Sequence, residues 1–197
     1  MPEQHRFEWR ETPKTPDAVR FFFASRVSPK KNLEFFLERL RAARGAIVFD
    51  VYGALEDVNY LEKCKRIVER LPPNVLIEFK GALPPEKLRE AVCDYHFSVL
   101  TTRGENFGHS IFESLLIGKP VLLSDKTPWR DLAKRHLGWD ISLDDFAAFD
   151  AAIEQCVRMN QSEYDEWSQA AWKFAREYQN APELVQQSRE LFVRTKR

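Results

Sequence analysis

Glycine is scarce, 7 of 197 residues, and forms neither a G-x-G-x-x-G nor a G-x-x-x-x-G-K-[ST] pattern. Any phosphate site must therefore be built without a glycine-rich fingerprint. Cysteine is equally sparse: Cys64, Cys93 and Cys156 lie far apart with no C-x-x-C spacing, which argues against a zinc or redox centre and reads as buried or reduced thiols. No apolar run approaches the roughly 20 residues of a membrane span, and the first sixteen residues, MPEQHRFEWRETPKTP, mix acids and bases unlike a signal peptide. A cytoplasmic protein is the default expectation, with peripheral membrane association left open. An excess of charge of either sign is also missing, since 30 Lys and Arg balance 30 Asp and Glu. That balance argues against a generic nucleic-acid binder, although local basic patches stay open.

What is present is core material. Hydrophobic residues make up 44% of the chain, including 15 Phe, 5 Trp and 5 Tyr, enough for one folded domain over residues 19–197. Residues 1–18, with Pro2, Pro13 and Pro16 ahead of any periodic pattern, read as a linker or loose terminus. From there strand-like and helix-like segments alternate. Strands are predicted at 19–25 (VRFFFAS), 46–53, 75–79, 95–102, 120–124 and 138–141, and helices at 32–43, 57–71, 85–92 and 109–117. A further short helix is expected from Trp129, and helical segments at 146–159, 163–178 and 182–194 close the chain. Such alternation requires crossover connections, hence an α/β, Rossmann-like, doubly wound and mostly parallel sheet with C-terminal helices. Ligands of such sheets bind outside the carboxyl ends of the strands, where the strand order switches.

Among the loops at those ends, TTRGENFGHS (residues 101–110) carries the most chemistry. It runs from a strand into a helix, whose first N–H groups and dipole attract phosphate, and Gly108 lets a ligand approach the backbone. Glu105 lies in the loop and Glu113 on the helix, five residues or about 7 Å of axis beyond Gly108. Two carboxylates flanking an anion-binding helix start suit a diphosphate with hydroxyl-bearing groups on both sides, as in a nucleotide sugar. Arg26, Lys30 and Lys31, just past the first strand, supply the complementary charge: a planar fork and point charges able to neutralise a pyrophosphate leaving group.

At these residues the chain resembles the donor-binding, C-terminal half of retaining GT-B glycosyltransferases of family 4, the glycosyl transferases group 1. The resemblance rests on R-V-S-P-K-K-N (26–32), F-K-G-A-L (79–83), E-N-F-G-H-S-I-F-E (105–113), which has the E-x7-E form, and G-K-P-V-L-L-S-D-K-T-P-W (118–129), in that order. It implies that Arg26 and Lys31 hold the donor diphosphate, that Glu113 binds the ribose hydroxyls and that Glu105 faces the transferred sugar. Backbone groups at Phe107, Gly108, His109 and Ser110 would meet phosphate and sugar, and the loop from Gly81 to Leu83 would border the base. Arg26, Lys31 and Glu105 would together activate the donor. Asn32 stands where the family often has glycine. The donor would be a UDP-, GDP- or ADP-sugar bound without metal, no D-x-D loop being evident, and without any further cofactor. The acceptor, a sugar or glycan, would meet an N-terminal domain that is missing here, so the chain would be the donor half of a hexosyltransferase and inactive alone.

Plainer readings stand beside these. Glu105 and Glu113 are also what a solvated loop and helix face would carry, and Arg26, Lys30 and Lys31 what a surface charge cluster would. The His109 side chain fits a helix cap or packing as well as a ligand contact. Asp125, Thr127 and Trp129 fit either a ligand contact or a turn with Trp129 plugging the core. His5, His96 and His136 read as structural or exposed, and Phe21–Phe23, Phe35, Phe36, Trp167 and Trp172 as packing. A non-catalytic α/β interaction module and a GT-B-type sugar-nucleotide epimerase are the alternative functions. The oligomeric state, the base, the sugar and the acceptor are not encoded in any recognisable motif.

Overall fold

The computed structural model describes residues 8–180. Its centre is a six-stranded sheet of order β3-β2-β1-β4-β5-β6, in which every pairing is parallel. The strands are β1 (Ala18–Ala24), β2 (Ala46–Tyr52), β3 (Val75–Gly81), β4 (Phe97–Leu100), β5 (Val121–Ser124) and β6 (Gly138–Ile141). The helices are α1 (Leu33–Arg39), α2 (Val58–Val68), α3 (Pro85–Ala91), α4 (His109–Leu116), α5 (Phe146–Arg158) and α6 (Gln161–Asn180). The chain steps outward from β1 to β3, then returns through α3 to the other side of β1 and continues outward to β6. The order therefore switches between β1 and β4, and the loops that leave these two strands are neighbours.

The phenylalanine run shows why this strand is central. Successive side chains of a strand point to opposite faces, and Phe21, Phe22 and Phe23 are all buried because both faces are covered. Phe21 and Phe36 of α1 meet edge to face at 5.4 Å, and Phe36 meets Phe49 of β2 at 4.9 Å; such pairs add about 0.5–1.5 kcal/mol beyond their buried area. Phe22 joins a second, smaller cluster with Tyr52, Val92 and Tyr95 on the other face. Local signals set the helix starts: the Asp57 side chain accepts from Tyr60 N–H at 2.9 Å and Asp145 from Ala148 N–H at 3.0 Å.

Two features depart from simple periodicity. Where a helix is expected from Trp129, the chain is irregular with a single 3-10 turn at Ala133–Arg135. The cause is tertiary: the Asp140 carboxylate of β6 accepts from the N–H groups of Asp131 and Leu132, and Asp131 and His136 take left-handed backbone angles that no α-helix accommodates. Residues 8–17, expected as a linker or loose terminus, lie along the body of the fold. The Trp9 indole donates to Ser168 Oγ at 2.9 Å, buried Lys14 donates to the carbonyls of Thr15, Val157 and Met159, and buried Lys119 donates to Thr12 Oγ1 and the Cys93 carbonyl. The helix expected at 182–194 lies outside the described residues. Among the described residues no helix is long and apolar enough to cross a membrane, and Cys64, Cys93 and Cys156 are free thiols.

Candidate functional site

The loops after β1 and β4 are stitched together at the switch in strand order. Thr101 Oγ1 donates to the Asn32 carbonyl at 2.9 Å, Thr102 Oγ1 to the Lys30 carbonyl at 3.1 Å, and Arg103 N–H to the same Lys30 carbonyl at 2.8 Å. Arg103 also reaches across with its guanidinium to Asn32 Oδ1 at 3.2 Å and Glu34 at 3.4 Å. Asn32, standing where glycine is frequent in the resembled family, has φ of 55°, in the left-handed region that glycine and asparagine tolerate best.

This stitching places the expected charges as follows. Lys31 is buried and its ammonium pairs with the Glu105 carboxylate, with the two side chains only 10% and 18% exposed. The Glu105 backbone is held by donation to the Lys126 carbonyl at 3.0 Å, and its second carboxylate oxygen accepts from Asn106 N–H at 3.2 Å. Arg26 is exposed at the end of β1 and pairs with Glu56, from the loop after β2, at 3.1 Å. Lys30 is exposed at the same rim, with its stem against Gly104. The two cations assigned to one diphosphate are therefore held in different settings, one enclosed and one open.

The α4 start lies beside them. Gly108 caps the helix with φ of 79°, and a Cβ there would sit 2.5 Å from Ile111 Cδ1 and 3.1 Å from Glu105 Cγ. Only glycine lets the chain turn this tightly against its own first helical turn. The first bonds of the helix run from the Ile111 and Phe112 N–H groups to the Gly108 carbonyl, at 2.9 and 3.2 Å, and a helix start of this kind is where the expected phosphate would be held. Glu113 lies half-buried on the same helix; His109 is exposed, its ring 5.1 Å from that of Phe107; Ser110 is half-buried, and its carbonyl accepts from Ser114 Oγ at 2.7 Å. Gly81 ends β3 with φ of 74°, its carbonyl accepting from Gly53 N–H at 2.9 Å, and Leu83 is exposed beyond it. This loop lies beyond β2, so the expected base-bordering residues stand two strands from the Lys31–Glu105 pair.

Of the open readings at 125–129, the structure realises the plug for Trp129. Its ring is buried among Phe107, Phe112, Phe174 and Tyr178, and its N–H donates to the Phe107 carbonyl at 2.6 Å. Thr127 is buried in the same turn, and the Asp125 carbonyl accepts from Arg130 at 2.8 Å. His96 is structural: its Nδ1 accepts from Arg20 N–H and its Nε2 pairs with the Pro13 carbonyl. His136 stacks on Trp167 and pairs with Glu166 at 2.9 Å.

Sequence reasoning missed the mutual pairing of Lys31 and Glu105, the role of Glu56 opposite Arg26, and Arg103 as the bridge between loops. Arg103 had a local signal, because it sits within the same charged loop. The pairings had none, since they join residues 74 and 30 positions apart.

The fold recurs in solved glycosyltransferases. A crystal structure of Anabaena HepE with UDP and glucose superposes with a TM-score of 0.71 at 18% identity over 90% of this chain and 48% of that one. The catalytic domain of cholesterol-alpha-glucosyltransferase from Helicobacter pylori matches with a TM-score of 0.67 at 17% identity over 83% of this chain and 99% of that one. A variant of S. aureus TarM in complex with fondaparinux, alpha-GlcNAc-glycerol and UDP matches with a TM-score of 0.63 at 19% identity over 94% of this chain and 38% of that one. The chain thus spans about half the length of HepE and less of TarM. No curated protein matches the sequence. The family model described as glycosyl transferases group 1 matches residues 5–174. With a parallel sheet of the GT-B kind and a family match over most of its length, the chain belongs to the glycosyl transferases group 1 family.

Proposed function

We propose that this chain is the nucleotide-sugar-binding half of a retaining glycosyltransferase that moves a hexosyl group from a nucleoside-diphosphate sugar to a sugar or glycan acceptor. The observation that supports the reading is the meeting, at the β1–β4 switch, of the loop carrying Lys31 with the loop carrying Glu105 and the α4 start at Gly108; Arg26 lies on the first of these segments and Glu113 on α4. The diphosphate lies between the cations and the helix amides, which neutralise charge as the bond to the leaving group breaks. Glu113 accepts from the ribose hydroxyls and Glu105 from the transferred sugar. Gly81 and Leu83 border the base. No divalent metal is needed in this scheme, because Arg26, Lys31 and the helix dipole take the charge that a metal would otherwise take.

The acceptor belongs to a second domain across the cleft, so the chain alone transfers sugar slowly or not at all. The three free thiols agree with a cytoplasmic setting. Isothermal titration with UDP, GDP and ADP in the presence of chelator tests the reading. One of the three is expected to bind and Glu113→Ala to weaken it; no binding by any, or undiminished binding by the variant, overturns it.

A further inference from the structure

The Lys31–Glu105 pair differs in kind from the Arg26–Glu56 pair. Arg26 and Glu56 are 60% and 43% exposed, so a phosphate captures Arg26 while water solvates the abandoned carboxylate. Lys31 and Glu105 are enclosed by two loops that are hydrogen-bonded to each other, and both Glu105 oxygens are engaged, one by Lys31 and one by Asn106 N–H. A ligand that draws the Lys31 ammonium away leaves a carboxylate oxygen unpaired in a poorly hydrated place, which is costly unless another donor takes over.

We propose that the Lys31–Glu105 ion pair is the element that discriminates a nucleotide sugar from its bare nucleoside diphosphate. The inference rests on the reading of this site as a nucleotide-sugar site and deepens it. A diphosphate supplies one half of the exchange, taking Lys31 from carboxylate to phosphate. Only a ligand that also carries sugar hydroxyls supplies the other half, donating to the Glu105 oxygen that Lys31 vacates. Once the sugar has been transferred, Lys31 returns to Glu105 and the remaining diphosphate loses a cation, which speeds product release. The pair is thus a specificity element before transfer and a release element after it.

The test is isothermal titration of the full chain with UDP, GDP and ADP and with UDP-glucose, GDP-mannose and ADP-glucose. Wild type, Glu105→Gln and the double variant Glu105→Gln with Lys31→Met are compared, each checked for folding by circular dichroism. Glu105→Gln is expected to bind the bare diphosphate about tenfold tighter than wild type, the gain lying between that of an exposed and a buried pair. It is expected to lose most of the preference for the nucleotide sugar, and Lys31→Met cancels the gain. Diphosphate binding by a folded Glu105→Gln that is unchanged or weaker overturns the proposal while leaving the donor-site reading standing. Should that variant fail to fold, the wild type decides: the nucleotide sugar must bind several-fold tighter than its diphosphate, and equal binding overturns the proposal. Failure of all six ligands to bind wild type overturns both readings together.

Discussion

The indole N–H of Trp129 donates to the carbonyl of Phe107 at 2.6 Å, across 22 residues of chain. The bond holds the loop just before the α4 start, and Phe112, Phe174 and Tyr178 surround the ring that makes it. Helix α6 is thereby coupled to the loop that leads into the α4 start, where the phosphate is proposed to bind.

Trp129→Phe keeps an aromatic ring in this cluster but removes the donor. It is expected to cost about 1 kcal/mol of stability, the usual worth of one hydrogen bond, and to weaken nucleotide binding. Urea unfolding and titration with the nucleotide that binds wild type provide the two readings; unchanged binding would show that the loop is held without this bond.

Gly108→Ala should be more damaging than its size implies. A non-glycine residue at φ of 79° costs about 1–2 kcal/mol in backbone strain alone, and the new Cβ meets Ile111 at 2.5 Å. A fall in thermal midpoint together with loss of nucleotide binding is the expected outcome.

Arg26→Ala is the complementary case. Its exposed pair with Glu56 contributes little to folding, so the melting temperature should not move while diphosphate affinity falls. A drop in both would mean that Arg26 holds the loop rather than the ligand.

His96 makes the fold sensitive to acid. Burial lowers its pKa to about 4 from the ordinary histidine value of 6.5, and the Arg20 N–H donating to Nδ1 at 2.9 Å leaves no room for a second proton there. The unfolded chain then binds more protons than the folded one between pH 6.5 and 4, so stability declines as pH falls through that window, by on the order of 3 kcal/mol. Chemical unfolding at pH 7 and pH 4.5 should show the loss in wild type and a flatter profile in His96→Asn.

Asn32→Val tests the left-handed turn that follows Lys31. A β-branched residue at φ of 55° is a strained one, and Oδ1, which accepts from Arg103, is removed as well. A loss of about 2 kcal/mol is expected from these two effects. Asn32→Gly, free of the strain, should lose less in the same unfolding experiment.

Much of the fold follows from short-range pattern. The alternation of apolar runs with helical periodicity places all six strands within a few residues of where they lie, and Asp57 and Asp145 mark two helix starts through their own side chains. The ordered motifs likewise bring attention to Arg26, Lys31, Glu105, Gly108 and Glu113, because loops at the carboxyl ends of parallel strands meet in one crevice. These properties belong to stretches of about ten residues, over which sequence and conformation are directly coupled.

The strand order was not contained in any such stretch. Placing β4 against β1 decides which loops touch, and from that come the Lys31–Glu105 pair, the Arg103 bridge to Asn32 and the enclosure that distinguishes Lys31 from Arg26. The same holds for Asp140, which overrides a helix expected after Trp129, and for Lys14 and Lys119, which bind carbonyls that the folded chain brings to them. The sequence by itself determined the elements and the kinds of charge at their ends. The tertiary structure alone decided which charges are partnered and how far from water, since both depend on contacts between residues distant in the chain.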